Sequence, residues 1–214
     1  MTLETTEDTW SYRLTLADEK TCVEIGFERA KPYFGNPQAN RNYSEGDTWE
    51  LHQHIVAVGS ELAFARMIGL SDFVPHFNKW RTEQDVPGTE IKYCWTNTNP
   101  NYPDWSLRHH ELDEPSHVYV LMSQGLEKKA QRMPSQEWKS PAYVALGWMY
   151  GHEARVSQYE QSASRYRTWR VPFQELRPMS QLDGIRKDNA GQPQPSQHTQ
   201  LDIPHDALLN TIQN

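Results

Sequence analysis

The stretch that decides how this chain folds reads Gln84-Asp85-Val86-Pro87-Gly88-Thr89-Glu90-Ile91-Lys92. Its centre is a Pro-Gly pair, which favours a reversal of the backbone with Gly88 at positive φ. If the reversal is tight, Val86 pairs with Thr89 in an antiparallel hairpin. Hairpins with two-residue loops prefer other turn types, so a wider loop is the alternative.

A tight reversal places Asp85 opposite Glu90, with both side chains on one face and their Cβ atoms about 4.5–5.5 Å apart. Alternation along the strand adds Lys92 to that face and directs Ile91 to the other face. Two facing carboxylates repel each other, and a divalent cation between them reverses the sign of that interaction. The same residue types are common on solvated hairpins, so the pattern alone leaves both interpretations open.

The composition of the 214 residues bounds the class of protein. Their length predicts one domain, residues 1–178, and a tail at 179–214 that is rich in Gln, Pro, Asn and Ser. We expect this tail to be extended or packed on a partner chain. The net charge of −7 argues against a general nucleic-acid coat protein, although an enzyme can touch DNA through a local basic patch.

Cellular location is predicted from the cysteines and from the apolar runs. Two cysteines without metal spacing and an N-terminus without a signal-peptide core predict a reduced, cytoplasmic protein. No apolar run approaches the roughly 18 residues of a membrane span, so no membrane partner is expected.

Two helices are predicted in the first third of the chain. Residues 16–31 follow a suitable N-cap, Thr15, and stop at Pro32. Residues 47–69 carry apolar side chains at spacings of three and four. Glu61 lies on the shoulder of that apolar stripe. It is either a solvated flank residue, as charged side chains usually are, or a group aimed at whatever the helix packs on.

The remaining pattern predicts a mixed α/β fold. Apolar runs at His117–Met122 and Tyr143–Met149 are typical of strands covered on both faces, and Gly151–Tyr159 favours a short helix. Together with the hairpin they predict one mixed central sheet with helices flanking both faces. Residues 36–46 and 96–104 are predicted loops.

This order of elements resembles the PD-(D/E)XK nuclease superfamily, which has the restriction-endonuclease-like fold. In that family a helix supplies a Glu, a strand an Asp and the next strand a Glu-x-Lys, as Glu61, Asp85, Glu90 and Lys92 do here. Gln84 stands where the family has Pro, a residue without a chemical role. Four further segments are similar to small nuclease-like proteins of bacteriophages: Gly59–Ala63, Glu90–Lys92, Asp113–Leu121 and Gly147–Gly151. The resemblance covers about residues 47–178.

The resemblance implies a divalent-metal-dependent DNA endonuclease. Asp85, Glu90 and the main-chain carbonyl of Ile91 are expected to bind Mg²⁺, or Mn²⁺ in its place. Glu61 is expected to bind that ion through water, or to bind a second ion directly. Lys92 is expected to orient or deprotonate the attacking water, or to stabilise the developing charge. The alternative is a non-enzymatic binding protein that keeps the nuclease-like fold.

A basic and aromatic patch is the candidate DNA contact. Arg165, Arg167 and Arg170 alternate with Tyr166 and Trp169, a pattern that suits gripping phosphates and stacking on bases. An edge strand with solvated arginines is the competing interpretation. A homodimer is left open, since cutting both strands of a duplex needs two sites.

Zinc is not expected from the histidine pairs. His52 and His54 would point about 200° apart on a helix, and His109 and His110 are adjacent in sequence.

Overall fold

The chain folds as a mixed α/β protein with one mixed sheet, a second sheet and a few helices. The computed structural model describes residues 10–34, 46–77, 84–94, 105–124, 142–161 and 166–182, and the side chains of 46–49 are not among them. The helices are α1 (Leu16–Ala30), α2 (Gly46–Met67) and α3 (Gly151–Ala154). The strands are β1 (Ser11–Tyr12), β2 (Thr89–Cys94), β3 (Ser106–His110), β4 (Val118–Gln124), β5 (Tyr143–Tyr150), β6 (Glu160–Gln161) and β7 (Thr168–Pro172).

Helix α1 begins and ends where the sequence predicted. The Thr15 hydroxyl accepts a hydrogen bond from the Asp18 N–H (3.1 Å), and the Asp18 carboxylate accepts one from the Thr15 N–H (3.1 Å). This reciprocal capping satisfies donors that the first turn leaves without intrahelical partners. A short 3₁₀ turn that contains Pro32 follows the last helical residue.

Helix α2 lies between α1 and the sheet. Val58, Leu62 and Ala65 of the predicted apolar stripe are buried, in the same core as Ile91 of β2. Helices α1 and α2 approach closely at Gly26, because a Cβ atom there would lie 2.7 Å from the Ile55 side chain. The predicted helix is confirmed, and Glu61 within it is buried.

The larger sheet has the strand order β1-β5-β4-β2. Strands β1, β5 and β4 pair antiparallel, whereas β2 pairs parallel to β4 from Thr89–Val118 to Cys94–Ser123. Among the described strands β2 therefore lies at an edge of this sheet. Its residues alternate between the helical core and the opposite face, as the parity of the sequence predicted.

The opposite face is covered by strands rather than by flanking helices, which corrects the prediction. Strands β3, β7 and β6 form a second, antiparallel sheet. Leu107 and Val171 from its inner side pack with Tyr119 and Leu121 of β4, and the short α3 adds Ala154. Strand β3 was missed because its sequence, Ser-Leu-Arg-His-His, is mostly polar and its second core position is His109, which is fully buried.

The Pro-Gly turn is tight, as predicted, but the hairpin is only one residue pair long. Val86 and Thr89 exchange hydrogen bonds of 3.0 and 2.8 Å, and Gly88 has φ of +80°. Beyond Thr89 the strand pairs with β4, so Asp85 lies on a bend beside β2 and not on a paired strand. The turn alone sets Asp85 next to Glu90.

The later predicted elements are confirmed in outline. The two apolar runs are β4 and β5, while the segment predicted as one helix at 151–159 is divided into α3 and the 3₁₀ turn Ser157–Tyr159. The predicted loops at 36–45 and 96–104, Arg165 and the tail beyond residue 182 lie outside the described residues. None of the described helices is long and apolar enough to cross a membrane.

Candidate functional site

Two carboxyl groups meet at the start of β2. The Asp85 Oδ2 accepts a hydrogen bond of 2.8 Å from the Ile91 N–H, which holds the Asp85 side chain against the strand. The carboxyl group of Glu90 lies near enough to Asp85 for the charge of Asp85 to act on it. Burial and the negative charge of Asp85 raise the pKa of Glu90 to about 8, although Lys92 opposes the shift. Both acids therefore lie on the same side of the strand, as the turn predicted.

Ile91 links this pair to the core. Its side chain is buried between the sheet and the helices, while its N–H points away from β4 towards Asp85. Because the N–H and C=O of one strand residue point to the same side, the Ile91 carbonyl also faces the edge beside Asp85. Asp85, Glu90 and the Ile91 carbonyl offer oxygen donors of the type that Mg²⁺ prefers.

Glu61 is buried and ion-paired, so the solvated-flank interpretation is wrong. The residue is 4% exposed, and Arg29 of α1 donates to both carboxylate oxygens at 2.5 and 2.8 Å. Arg29 is itself held by a 2.8 Å hydrogen bond to the His76 carbonyl. Burial and the charge of Asp85 raise the pKa of Glu61 to about 7, against the lowering effect of Arg29. Glu61 therefore belongs to the same electrostatic cluster as Asp85.

Lys92 lies on the face of Glu90, as predicted, and its ammonium group is engaged. Its Nζ is 3.0 Å from the Asp113 Oδ2 and 5.4 Å from the centre of the Tyr119 ring. His117, which had no predicted role, completes the cluster with its Nδ1 3.2 Å from the Glu90 Oε1. Asp113 and His117 belong to a segment that carried the family resemblance. Their contacts with β2 join residues far apart in the chain, so no short sequence pattern predicts them.

The donor set for a cation is small. Within the described part of the chain, no group of three or more His, Cys, Asp or Glu side chains is arranged to hold a metal ion. Asp85, Glu90 and the Ile91 carbonyl would leave the remaining coordination positions to water, which Mg²⁺ retains more readily than other cations. With its pKa raised to about 8, Glu90 keeps a proton at neutral pH, so a cation that binds there must displace that proton.

The basic patch is only partly available on the surface. Trp169 is buried, with the Arg155 guanidinium 5.5 Å from its ring centre, so it cannot stack on a base as the sequence suggested. Arg167 is exposed and lies 3.7 Å from Glu160. Arg170 lies directly opposite Arg108 across the β3–β7 pair, an arrangement of like charges that costs stability.

One nitrogen of Arg170 is left without a hydrogen bond in the residues described. Its Nε is buried and lacks a hydrogen-bond partner among the groups that the structure describes. A phosphate oxygen would satisfy such a donor and would offset the repulsion between the opposed arginines. Arg108 was missed because its relation to Arg170 depends on strand register.

Comparisons of this chain with family models, curated proteins and solved structures give no match. Its function is therefore inferred from its own residues and their geometry.

Proposed function

We propose that this protein is a divalent-metal-dependent endonuclease that hydrolyses DNA phosphodiester bonds, with a PD-(D/E)XK site on a restriction-endonuclease-like fold. The observation that carries the proposal is the 2.8 Å hydrogen bond from the Ile91 N–H, which holds the Asp85 carboxylate beside the strand that presents Glu90 and Lys92. Bringing two partly buried acids together costs folding free energy, and a bound cation offsets this cost.

Asp85, Glu90 and the Ile91 carbonyl would hold Mg²⁺ or Mn²⁺. When bound, the cation neutralises charge on the phosphate and makes a coordinated water more acidic. Both oxygens of Glu61 accept from Arg29, which favours contact through water over direct ligation of a second ion. The role of Glu61 is then to fix the charge and hydration around Asp85.

Lys92 supplies a positive charge on the face where the substrate would lie. Its ammonium donates hydrogen bonds that can orient the attacking water or stabilise charge on the phosphate oxygens as it develops. The contact with Asp113 restricts the ammonium to one region. Such restriction favours a positioning role, because a held group needs little reorganisation during the reaction.

DNA would be gripped by the arginines of the β3–β7 sheet. Arg167 and Arg170, together with Arg108, are suited to phosphate oxygens and would contribute no sequence specificity. Arg165, which the sequence adds to this group, lies outside the described residues. A protein with net charge −7 needs such a local patch to approach a polyanion. The affinity should accordingly fall steeply with salt.

Incubation with supercoiled plasmid tests the proposal. Cleavage is expected with Mg²⁺ or Mn²⁺ and not with EDTA, and Asp85→Ala and Glu90→Ala should each abolish it. Asp72→Ala, which changes an exposed acid on a surface turn, is the matched control and should cleave at the wild-type rate. Wild-type protein that leaves plasmid and single-stranded DNA intact with both cations would refute the proposal, as would undiminished cleavage by Asp85→Ala.

A non-enzymatic binding protein on the same fold is the second candidate. It is favoured by the engagement of Glu61 with Arg29 and of Lys92 with Asp113, since ion pairs of this kind also serve a purely structural purpose. In that case DNA stays intact with every variant while binding persists. Light scattering would establish whether the chain is a dimer, which cleavage of both strands by one assembly requires.

A further inference from the structure

The loop at residues 111–117 contacts both functional side chains of β2. Near its start, Asp113 Oδ2 lies 3.0 Å from the Lys92 Nζ. At its end, His117 Nδ1 lies 3.2 Å from the Glu90 Oε1. The loop thus contacts both Lys92 and Glu90, which lie on one face of the strand. It contacts the base with an acid, Asp113, and the acid with a histidine, His117.

The first half of the loop is held from behind by Arg155. Its guanidinium donates to the main-chain carbonyls of Glu111 (3.1 Å) and Asp113, and through Nε to His109 Nε2 (3.0 Å). The Asp113 Oδ2 also accepts a 2.9 Å hydrogen bond from the His110 N–H. These bonds fix the main chain and the carboxylate of Asp113 independently of its ion pair with Lys92.

Helix α3 holds the second half. The Gly151 N–H donates to the His117 carbonyl (3.0 Å), and the His152 N–H donates to the Pro115 carbonyl (2.7 Å). Helix α3 and the loop lie so close together that a Cβ atom at Gly151 would be 2.9 Å from the Glu114 carbonyl oxygen. A loop bonded at this density has few alternative conformations, so the side chains it presents are held in place.

His109 does not neutralise the negative charge of Asp113. Because Arg155 donates to Nε2, the neutral His109 ring carries its proton on Nδ1, which faces Asp113 Oδ2 at 3.5 Å. Burial lowers the pKa of His109 to about 4, so the ring is uncharged at neutral pH. The carboxylate of Asp113 is then balanced by the ammonium group of Lys92.

We propose that the loop at 111–117 is a positioning element for the site, in which Asp113 positions Lys92 and His117 positions Glu90. This inference rests on the proposed nuclease function. A lysine ammonium at the end of four rotatable bonds samples many positions, and the ion pair restricts it to positions beside Asp113. His117 restricts the carboxyl group of Glu90 in the same way, as outer groups orient metal-ligating side chains in proteins.

Three variants test the two halves separately. Asp113→Asn keeps an oxygen acceptor for the His110 N–H but removes the charge that holds Lys92. His117→Ala removes the contact with Glu90. Glu111→Gln makes the same change of charge at an exposed residue of the same loop and is the control.

Lys92 accessibility is measured first, without any need for cleavage. Acetylation of Lys92 by acetic anhydride, followed by peptide mass spectrometry and normalised to the exposed Lys20, should be about 3- to 10-fold faster in Asp113→Asn. Glu111→Gln should react as the wild type does. Equal Lys92 acetylation in Asp113→Asn and in the control would overturn the role of Asp113.

Cation binding and cleavage provide the second readout. His117→Ala should weaken Mn²⁺ binding, measured by calorimetry, about 10-fold, whereas Asp113→Asn should change it less than twofold. Asp113→Asn should instead lower kcat about 10- to 100-fold with KM within twofold. If Asp113 acts through Lys92, the double variant Asp113→Asn/Lys92→Ala cleaves no more slowly than Lys92→Ala alone.

The outcomes separate this inference from the proposed function. If the Asp113 and Lys92 substitutions lower kcat by factors that multiply in the double variant, Asp113 does not act through Lys92. If His117→Ala binds Mn²⁺ as tightly as the wild type, His117 does not position Glu90. Either result leaves the proposed nuclease function standing. A wild-type chain that binds no Mn²⁺ would refute the proposed function and with it the role of His117. The acetylation of Lys92 would still decide the role of Asp113.

Discussion

Asp85→Asn is expected to stabilise the cation-free protein while it destroys the cation site. Asparagine keeps an oxygen that accepts from the Ile91 N–H and removes the negative charge beside Glu90. The folded state of the wild type holds a proton on Glu90 up to a pH of about 8, whereas an unfolded glutamate loses it near 4.5. The free energy of unfolding therefore falls as the pH rises through this window.

The size of the effect follows from the same pKa. Each tenfold change in proton affinity is about 1.4 kcal/mol, so the rise from 4.5 to about 8 corresponds to about 5 kcal/mol between acid and alkaline pH. Burial is the largest cause and the charge of Asp85 is the next, so Asp85→Asn removes only part of the shift. A neighbouring unit charge at a partly buried site is worth on the order of 1–2 kcal/mol. In a chain of this size that amount raises Tm by about 2–8 °C.

Thermal unfolding followed by circular dichroism from pH 5 to pH 9, in EDTA and in Mn²⁺, measures both effects. In EDTA, Asp85→Asn should exceed the wild-type Tm at pH 8.5, and the difference should shrink towards pH 5, where Glu90 is protonated in both proteins. Mn²⁺ should raise the Tm of the wild type, increasingly at higher pH, and should leave Asp85→Asn unchanged. The exposed-site control Asp72→Asn should follow the wild type throughout. A lower Tm for Asp85→Asn in EDTA at pH 8.5, or undiminished stabilisation by Mn²⁺, would refute the reasoning.

Three further predictions concern the neighbouring charges. Lys92→Ala should bind Mn²⁺ at least as tightly as the wild type, since a nearby cation is lost, while plasmid cleavage falls about 10²–10⁴-fold; cleavage at the wild-type rate would contradict the role of Lys92. Arg29→Met leaves Glu61 buried without its partner and should lower the free energy of unfolding in guanidinium titrations by about 3–5 kcal/mol, whereas Arg29→Met/Glu61→Leu should recover much of the loss. The double variant Arg167→Ala/Arg170→Ala should weaken binding of a fluorescent DNA duplex and flatten its dependence on salt, and an unchanged salt dependence would remove these arginines from the DNA contact.

Features encoded within a few residues were predictable from the sequence. The Pro-Gly pair identified the turn that joins Asp85 to Glu90, because the conformation required of Gly88 is a local property. Helices α1 and α2 were predictable from capping and periodicity. The parity of a strand also placed Lys92 correctly, since alternation does not depend on what the strand pairs with.

Features that depend on distant partners were not predictable. The sequence left the environment of Glu61 open, because nothing near it in sequence indicates Arg29, which lies 32 positions away. His117 meets Glu90 across 27 positions, and the sequence of neither segment marks the other. The second sheet was missed for a related reason, because His109 fills a core position that a polarity pattern assigns to the surface.

The parallel pairing of β2 with β4 also determines the order in which this site can assemble. Val86 and Thr89 close their turn across three positions, whereas Thr89 pairs with Val118 and Ser11 pairs with Val144. Contacts that close long loops form late, and a growing chain emerges from the ribosome N-terminus first.

During synthesis, the turn at Val86–Thr89 therefore leaves the ribosome before β4, the strand that pairs with β2. Until β4 emerges, both edges of β2 are unpaired. Charged side chains on a waiting strand hinder its pairing with the strands of other chains. Glu90 and Lys92 are charges of this kind, so the same side chains that form the candidate site also disfavour pairing of β2 with other chains.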